Sequence, residues 1–191
     1  MLRLAVLLAL IAAGAIYVRR HVDRSLITER RTPAGPTQDP VALVLIRLAA
    51  FASLVLLGFD HVWLHWSDHV PTAVEWIGVL LFALAGSLVA WSFVTNRFFS
   101  SAVRIQSDRG HHVISTGPYG FVRHPGYLGM ATMMPAVMLA GGSWLAAVLA
   151  LSYSALIARR AGLEDRFLQQ NLDGYADYAR RIRYRLVPFV W

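Results

Sequence analysis

Side chains able to do chemistry are densest in His111-His112-Val113-Ile114-Ser115-Thr116-Gly117-Pro118-Tyr119-Gly120-Phe121-Val122-Arg123-His124-Pro125-Gly126-Tyr127-Leu128-Gly129. Gly117-Pro118 reads as a turn. His124 precedes a proline and is biased away from helix, whereas Pro125 suits a first helical position. Tyr127 and Gly129 then fall in the opening turn of a helix, where unpaired backbone N–H groups can receive a carboxylate or a nucleotide hydroxyl. The same residues also read as a polar loop whose histidines and tyrosines anchor at lipid headgroups. A second cluster is Arg160 and Glu164, four apart and on one helical face, an arrangement equally open to an ordinary ion pair. A third is His61, His65 and His69 beside Asp68, which on a helix would form one stripe, as metal or haem ligands do. Against that stand an interfacial belt with Trp63 and Trp66, and Pro71, which limits the helix.

The elements that position these residues belong to a membrane. Hydrophobic residues make up 57% and charged residues 15% of the 191, against roughly 45–50% and about 25% in soluble domains. With a mean hydropathy of +0.49, a disordered chain is excluded, and an integral membrane protein is expected over a soluble globule. Cysteine is absent, which removes disulfides, thiolate metal sites and cysteine nucleophiles. The 18 cationic residues are all arginine and give a formal charge of +7. They flank apolar runs instead of forming one patch, so they mark loops and not a nucleic-acid surface.

The expected fold is all-α and integral to the membrane, a single domain over residues 1–191. About five transmembrane helices are expected, near 2–18, 41–59, 74–95, 126–140 and 144–161. The first run competes with a secretory signal peptide, with Gly14 and Ala15 near a possible cleavage point. Arg19-Arg20 follow directly, however, as in a stop-transfer flank, so a retained helix is expected. Arg47, about two turns into the second run, can snorkel. Residues 127–158 are too many for one crossing and few for two. Arginine decides between them: residues 96–126 hold four and the segment from Arg159 onward holds seven, whereas 60–73 holds none. Two basic flanks belong on the same side, so the run between them is a short helical hairpin turning at Gly141-Gly142-Ser143. The N-terminus is then outside and the C-terminus cytoplasmic.

Residues 162–191 read as an interfacial segment with a cytoplasmic amphipathic helix. Leu163, Phe167, Leu168 and Leu172 share one face, and Asp173-Gly174 interrupt the helix before Tyr175, Tyr178 and Ile182. Arg183 to Trp191 looks like a membrane-surface anchor. No repeat of 20–50 residues is present.

Gly117-Pro118-Tyr119, then Arg123-His124-Pro125-x-Tyr127-x-Gly129, then Arg160-x-x-x-Glu164-Asp165 resembles the isoprenylcysteine carboxyl methyltransferase family of membrane enzymes. The segments Leu172-Asp173-Gly174-Tyr175-x-x-Tyr178 and Arg183-Tyr184-Arg185-Leu186-Val187-Pro188 look like its bacterial members. The likeness covers residues 75–191 and departs at Asp165, where the family often has a second glutamate. It implies S-adenosylmethionine as methyl donor, bound by the connection 96–126 and the last helices. His111, Val113 and Ile114 would line the adenosine region with Tyr119 nearby. His124, Pro125 and Tyr127 would hold the amino-acid portion, and Glu164 would also contact the donor. Gln106 is a further candidate where the likeness is loose. Arg160 matches the arginine that meets an acceptor carboxylate.

The implied reaction is methyl transfer to a lipophilic, isoprenylcysteine-like carboxylate in a bacterial inner membrane, with the site facing the cytoplasm. The implied partners are that acceptor and membrane lipids, with no nucleic acid and no metal. A carboxylate acceptor needs no general base; an amine would, and His124 could serve. Three alternatives stand beside this: a phospholipid amine N-methyltransferase, a membrane redox or haem-binding protein, and a relative of the sterol reductases. A soluble-type donor fold is not indicated, because no G-x-G-x-x-G follows a predicted strand.

The arginine asymmetry places residues 96–126 and 159–191 in the cytoplasm. Single cysteines introduced at Ser107 and Gln170 should react with an impermeant thiol reagent only from that side. Reaction from the outer face at either position overturns the hairpin topology.

Overall fold

The computed structural model describes residues 2–21, 40–99 and 105–191. The polar loop carrying Arg24, Arg30 and Arg31 lies outside the described residues, as does Arg104 in the connection expected to bind the donor. Among the described residues there are six α-helices and no strand: α1 Leu2–His21, α2 Pro40–Phe59, α3 Thr72–Thr95, α4 Pro125–Ala140, α5 Trp144–Asn171 and α6 Tyr175–Arg181. A π-helical turn, Asp60–Leu64, prolongs α2. Three helical stretches are long and apolar enough to cross a membrane, 40–64, 72–95 and 144–171, and Ala5–Tyr17 is a shorter apolar helix. The protein is an all-α membrane protein.

The core of the bundle is the antiparallel pair α3–α4, and small residues bring the two backbones together. A methyl group at Gly78 would sit 2.5 Å from the Ala140 nitrogen and 2.8 Å from the Ala136 carbonyl oxygen. One at Gly129 would sit 2.7 Å from the Ala85 carbonyl oxygen. In lipid, where apolar surface gains little by leaving the bilayer, such backbone approach is what holds helices together. Pro135 lies inside α4. It has no N–H for the carbonyl four residues back, Ala131, and Ser154 Oγ of α5 donates to that oxygen at 2.6 Å instead. The expected turn at Gly141-Gly142-Ser143 is present, with Gly142 at φ +83° and Ser143 capping α5 by accepting from the Ala146 N–H at 3.1 Å.

Two ends of the bundle are thereby defined. At one, Asp60 is buried and accepts hydrogen bonds from the hydroxyls of Ser67 and Ser143 and from the Trp66 N–H. This fastens the end of α2 to the hairpin turn. Arg3 pairs with Glu75 in the first turn of α3 at the same end. The far ends of α3 and α5 and the start of α4 therefore gather at the other end.

Two expectations change. His65 takes φ 56° and closes the π turn, because Asp60 draws the following residues back through Trp66 and Ser67. His61, His65 and His69 accordingly do not form one helical stripe. Among the described residues no three His, Asp or Glu side chains converge on a metal position. In addition, α5 does not end near residue 161 but runs unbroken to Asn171. At 1.5 Å per residue its 28 residues reach about 42 Å, longer than a hydrocarbon core of about 30 Å is thick.

Gly78→Ala should lower thermal stability in detergent by about 1–3 kcal/mol, because the methyl meets backbone that cannot yield. Gly86→Ala is the control: its nearest neighbour would be Met133 Cε at 4.0 Å, and it should be neutral or slightly stabilising. Equal behaviour of the two variants would show that the α3–α4 approach is not tight.

Candidate active site

At the end of the bundle where α4 begins, Pro125 is its first residue and His124, at φ −128° and ψ 59°, remains outside the helix, as its place before proline requires. Arg123 and His124 donate their backbone N–H groups to the carbonyls of Tyr184 and Arg185, each at 2.9 Å. The segment after α6 is thereby stitched to the entry of α4.

Asp165 lies below both, fully buried at 0% exposure on α5. Arg123 Nε and Nη2 donate to its two oxygens at 2.7 and 2.9 Å. Arg185 Nε donates at 3.0 Å, Gln169 Nε2 at 2.8 Å and Tyr175 Oη at 3.1 Å. His124 Nε2 is 3.3 Å from the same carboxylate. Arg123 also donates through Nη1 to the carbonyls of Ile182 and Arg183 at 2.7 and 2.8 Å. Burial opposes the charge of Arg123, yet its hydrogen bond to Asp165 and that group's negative charge hold the guanidinium above its ordinary value. Burial pushes the phenols of Tyr119, Tyr175 and Tyr178 well up, so each stays a neutral donor. Tyr178 uses its proton on the Tyr119 carbonyl at 2.8 Å.

One helical step away, Glu164 points elsewhere. Tyr127 Oη donates to Glu164 Oε2 at 2.6 Å and accepts from Arg160 Nε at 3.0 Å. The tyrosine of α4 thus stands between the two α5 residues that the spacing had put on one face.

These groups border a partly open cleft. Of the residues singled out from sequence, His111, Val113, Ile114, Tyr119, His124, Tyr127 and Glu164 line it, and Gln106, Pro125 and Arg160 do not. Gln106 is buried behind the wall: its Nε2 donates to the Phe98 carbonyl at 2.8 Å, its Oε1 accepts from Arg109 at 3.1 Å, and its N–H donates to His111 Nδ1 at 3.2 Å. It shapes the wall without facing the cleft. Pro125 is buried at the foot of α4, and Arg160 reaches the site only through Tyr127.

Sequence reasoning passed over other lining residues. Asn96, Phe98 and Phe99 follow α3, and Leu168, Leu172, Tyr175 and Tyr178 come from the ends of α5 and α6. Phe98 lies 4.5 Å from the His111 ring and forms an aromatic wall whose signal was the pair Phe98-Phe99 directly after an apolar run. The tyrosines carried a signal too, as apolar positions of an amphipathic helix, but that pattern reads equally as a membrane-facing stripe.

A family model described as phospholipid methyltransferase matches residues 74–173, from the start of α3 to just past α5. The chain belongs to the phospholipid methyltransferase family. Its members are membrane methyltransferases and generally use S-adenosylmethionine. Among individual relatives, the chain is 33% identical over 56% of its length to a cobalt-zinc-cadmium resistance protein of Cupriavidus metallidurans, of which it covers 49%. It is 33% identical over 46% of its length to a Delta(14)-sterol reductase of Mus musculus, covering 22% of that protein. It is also 31% identical over 42% of its length to a nickel-cobalt-cadmium resistance protein of Alcaligenes xylosoxydans xylosoxydans, covering 38% of it. The chain spans less than half the length of each of these three relatives.

Asp165→Asn leaves Arg123 buried beside a neutral partner and should cost about 3–5 kcal/mol of thermal stability. Arg185→Gln removes a half-exposed partner of the same carboxylate and should cost far less. Equal and small losses would mean that Asp165 does not organise this end of the molecule.

Proposed function

We propose that this protein transfers a methyl group from S-adenosylmethionine to the carboxylate of a lipophilic, isoprenylcysteine-like acceptor, at the cytoplasmic face of a bacterial inner membrane. The observation that carries the reading is the Arg160–Tyr127–Glu164 chain. Glu164 and Tyr127 border the cleft, and Arg160 lies behind Tyr127, off the cleft wall. Donor and acceptor thus have separate approaches to one point.

The lining of the cleft suits the chemistry of the donor. Phe98, His111, Val113 and Ile114 offer aromatic and apolar contacts for a purine, with Tyr119 in the same lining. Glu164 is a carboxylate suited to hydroxyl or cationic groups, and His124 and Tyr127 flank the place for the amino-acid portion. When bound, S-adenosylmethionine supplies an electrophilic methyl whose bond to sulfur breaks as the acceptor oxygen bonds to carbon, leaving a neutral thioether.

No proton moves in that displacement, so the protein need only bind, align and exclude water. The attacking carboxylate and the sulfonium carry opposite charges that vanish together. A strong fixed charge at the reacting centre would therefore hold the ground state more than the transition state. Arg160 fits the role of orienting the carboxylate by its planar fork. Crossing of the membrane by α1 and α4 as well as the three long helices would give the five-span arrangement. The arginine-rich end, which carries the site, would then face the cytoplasm.

A second reading has its own support. An amine acceptor must lose a proton, and His124, with Nε2 set against Asp165, has the carboxylate-oriented arrangement of a general base. The family's name points the same way, to a phospholipid amine. Partial likeness to a sterol reductase is tested with a nicotinamide arm in the same titration.

Glu164→Gln should weaken donor binding by about 1.5–3 kcal/mol, the worth of a hydrogen bond to a charged group, without loss of fold. Arg160→Lys should spare donor binding but depress turnover on a farnesylated thioacid. Calorimetry with S-adenosylmethionine, S-adenosylhomocysteine and reduced nicotinamide cofactor measures the first. Methylation of the thioacid and of an aminophospholipid measures the second. Methylation of amine lipids alone, or turnover unaffected by Arg160→Lys, overturns the carboxylate reading in favour of the amine; binding of only the nicotinamide overturns both.

A further inference from the structure

Phe189 stands at the third position of a tight turn that follows Pro188 and is closed by the Val190 N–H donating to the Val187 carbonyl at 3.2 Å. Its φ is +65°, a region in which a bulky L-residue is strained, and its side chain is 89% exposed. Within the chain the ring touches Tyr184, with centroids 5.2 Å apart. Val190 beside it is 78% exposed and Phe121, across a shallow groove, is 72% exposed. Arg181 and Arg183 line the same groove as Phe121 and Phe189. Among the described residues that line it there is no carboxylate. The turn holds the aromatic ring outward, away from the protein's own core, beside two guanidiniums.

The height of this surface in the molecule identifies the receiver. Leu186 is buried against Tyr127, Ile157 and Ala161, with Ile46 of α2 packed on the same cluster. A methyl group at Gly162 of α5 would sit 3.3 Å from the Trp191 ring. The segment between Leu186 and Trp191 is therefore pinned at both ends, near where the apolar run of α2 begins and that of α5 ends, which is the level at which hydrocarbon gives way to headgroups. Aromatic and aliphatic side chains flanked by guanidiniums at that depth match an anionic lipid surface.

We propose that Phe121, Phe189 and Val190, together with Arg181 and Arg183, form a docking surface for anionic phospholipids of the bilayer in which the protein sits. The rings and Val190 enter the acyl boundary, and the two guanidiniums take lipid phosphates. The docked segment is the one whose Tyr184 and Arg185 carbonyls hold Arg123 and His124 and whose Arg185 side chain reaches Asp165. Lipid docking therefore firms the wall of the cleft. This last consequence rests on the methyltransferase reading, whereas the docking surface itself does not.

The chain has no cysteine, so Val190→Cys gives a unique position for a bimane label on the full-length protein. The protein is placed in nanodiscs of phosphatidylcholine alone or with a third phosphatidylglycerol, each doped with a shallow nitroxide lipid. Quenching should be stronger with phosphatidylglycerol. Arg181→Gln with Arg183→Gln should remove the difference, at roughly fivefold in lipid preference per arginine. Phe189→Gly should weaken quenching while leaving thermal stability in detergent equal or higher, since glycine relieves the positive φ. A label unquenched in both lipids, quenching indifferent to headgroup charge, or destabilisation by Phe189→Gly each overturns the surface. For the coupling, S-adenosylhomocysteine should bind several-fold more tightly with phosphatidylglycerol in wild type and not in the double arginine variant; equal affinities overturn the coupling. If no donor binds in any lipid, the methyltransferase reading fails, and quenching still decides the docking surface.

Discussion

The buried carboxylate of Asp165 is the constraint on which this end of the molecule depends. An ion removed from water costs several kcal/mol unless its partners replace the lost hydration. Here five donors do so, from Arg123, Gln169, Tyr175 and Arg185, with His124 close by. These donors come from the entry of α4, from α5 itself, from α6 and from the segment beyond it. None of those pieces is a membrane helix packed along its length against another, apart from α5. Asp165 makes them one body, and the cleft is the space left between that body and the residues that follow α3.

The membrane bundle meets the complementary requirement: it carries few charges and leaves few backbone groups unsatisfied. Close approach at Gly78 and Gly129 sets the α3–α4 spacing, and Ser154 supplies the hydrogen bond that Pro135 withholds from Ala131. At the opposite end Asp60 repeats in miniature what Asp165 does, gathering Ser67, Ser143 and the Trp66 N–H around one buried carboxylate. Both ends are closed by a carboxylate that ties a loop to the α4–α5 hairpin. The hairpin is thus held at its turn and at its open end, which keeps Tyr127 of α4 in register with Arg160 and Glu164 of α5.

Much of this frame was legible because hydropathy and proline act locally. The start of α4 at Pro125, the turn at Gly141-Gly142-Ser143 and the break at Asp173-Gly174 each need only a few residues to specify them. What was not legible depends on distant contacts. The apolar run of α5 fades near Arg159-Arg160, and hydropathy reports where the bilayer stops, not where the helix does. The histidine spacing at 61, 65 and 69 is helical, but His65 is turned out of the helix by hydrogen bonds to Asp60 that no spacing reveals. Glu164 and Asp165 are adjacent and chemically alike. Their opposite roles follow from the roughly 100° that separates neighbours on a helix, and which one faces the cleft is set by α4 and α6. Gln106 has the composition of a ligand-binding residue, yet its amide nitrogen, amide oxygen and backbone N–H are each engaged within the loop it closes.

The distribution of charge within the site bears on the reaction proposed for it. The densest network, around Asp165, forms part of the cleft wall through Arg123, His124 and Tyr175, and has its donors aimed at Asp165. The groups that border the cleft are the Glu164 carboxylate, which accepts from Tyr127, the Arg123 guanidinium, which is committed to Asp165 and to backbone carbonyls, three histidines, Asn96, and aromatic and aliphatic side chains. A reaction that created an isolated charge would call for donors aimed into the open space. Methyl transfer between a sulfonium and a carboxylate removes charge, so it calls for a quiet site with rigid walls. Strong ion pairing is then useful only where it fixes geometry, and weakly charged surfaces are useful where the methyl group moves. In the site the Arg123 guanidinium is spent on Asp165 and backbone carbonyls, and an amine acceptor would alter the arrangement at one point, by making the imidazole of His124 a participant instead of a wall.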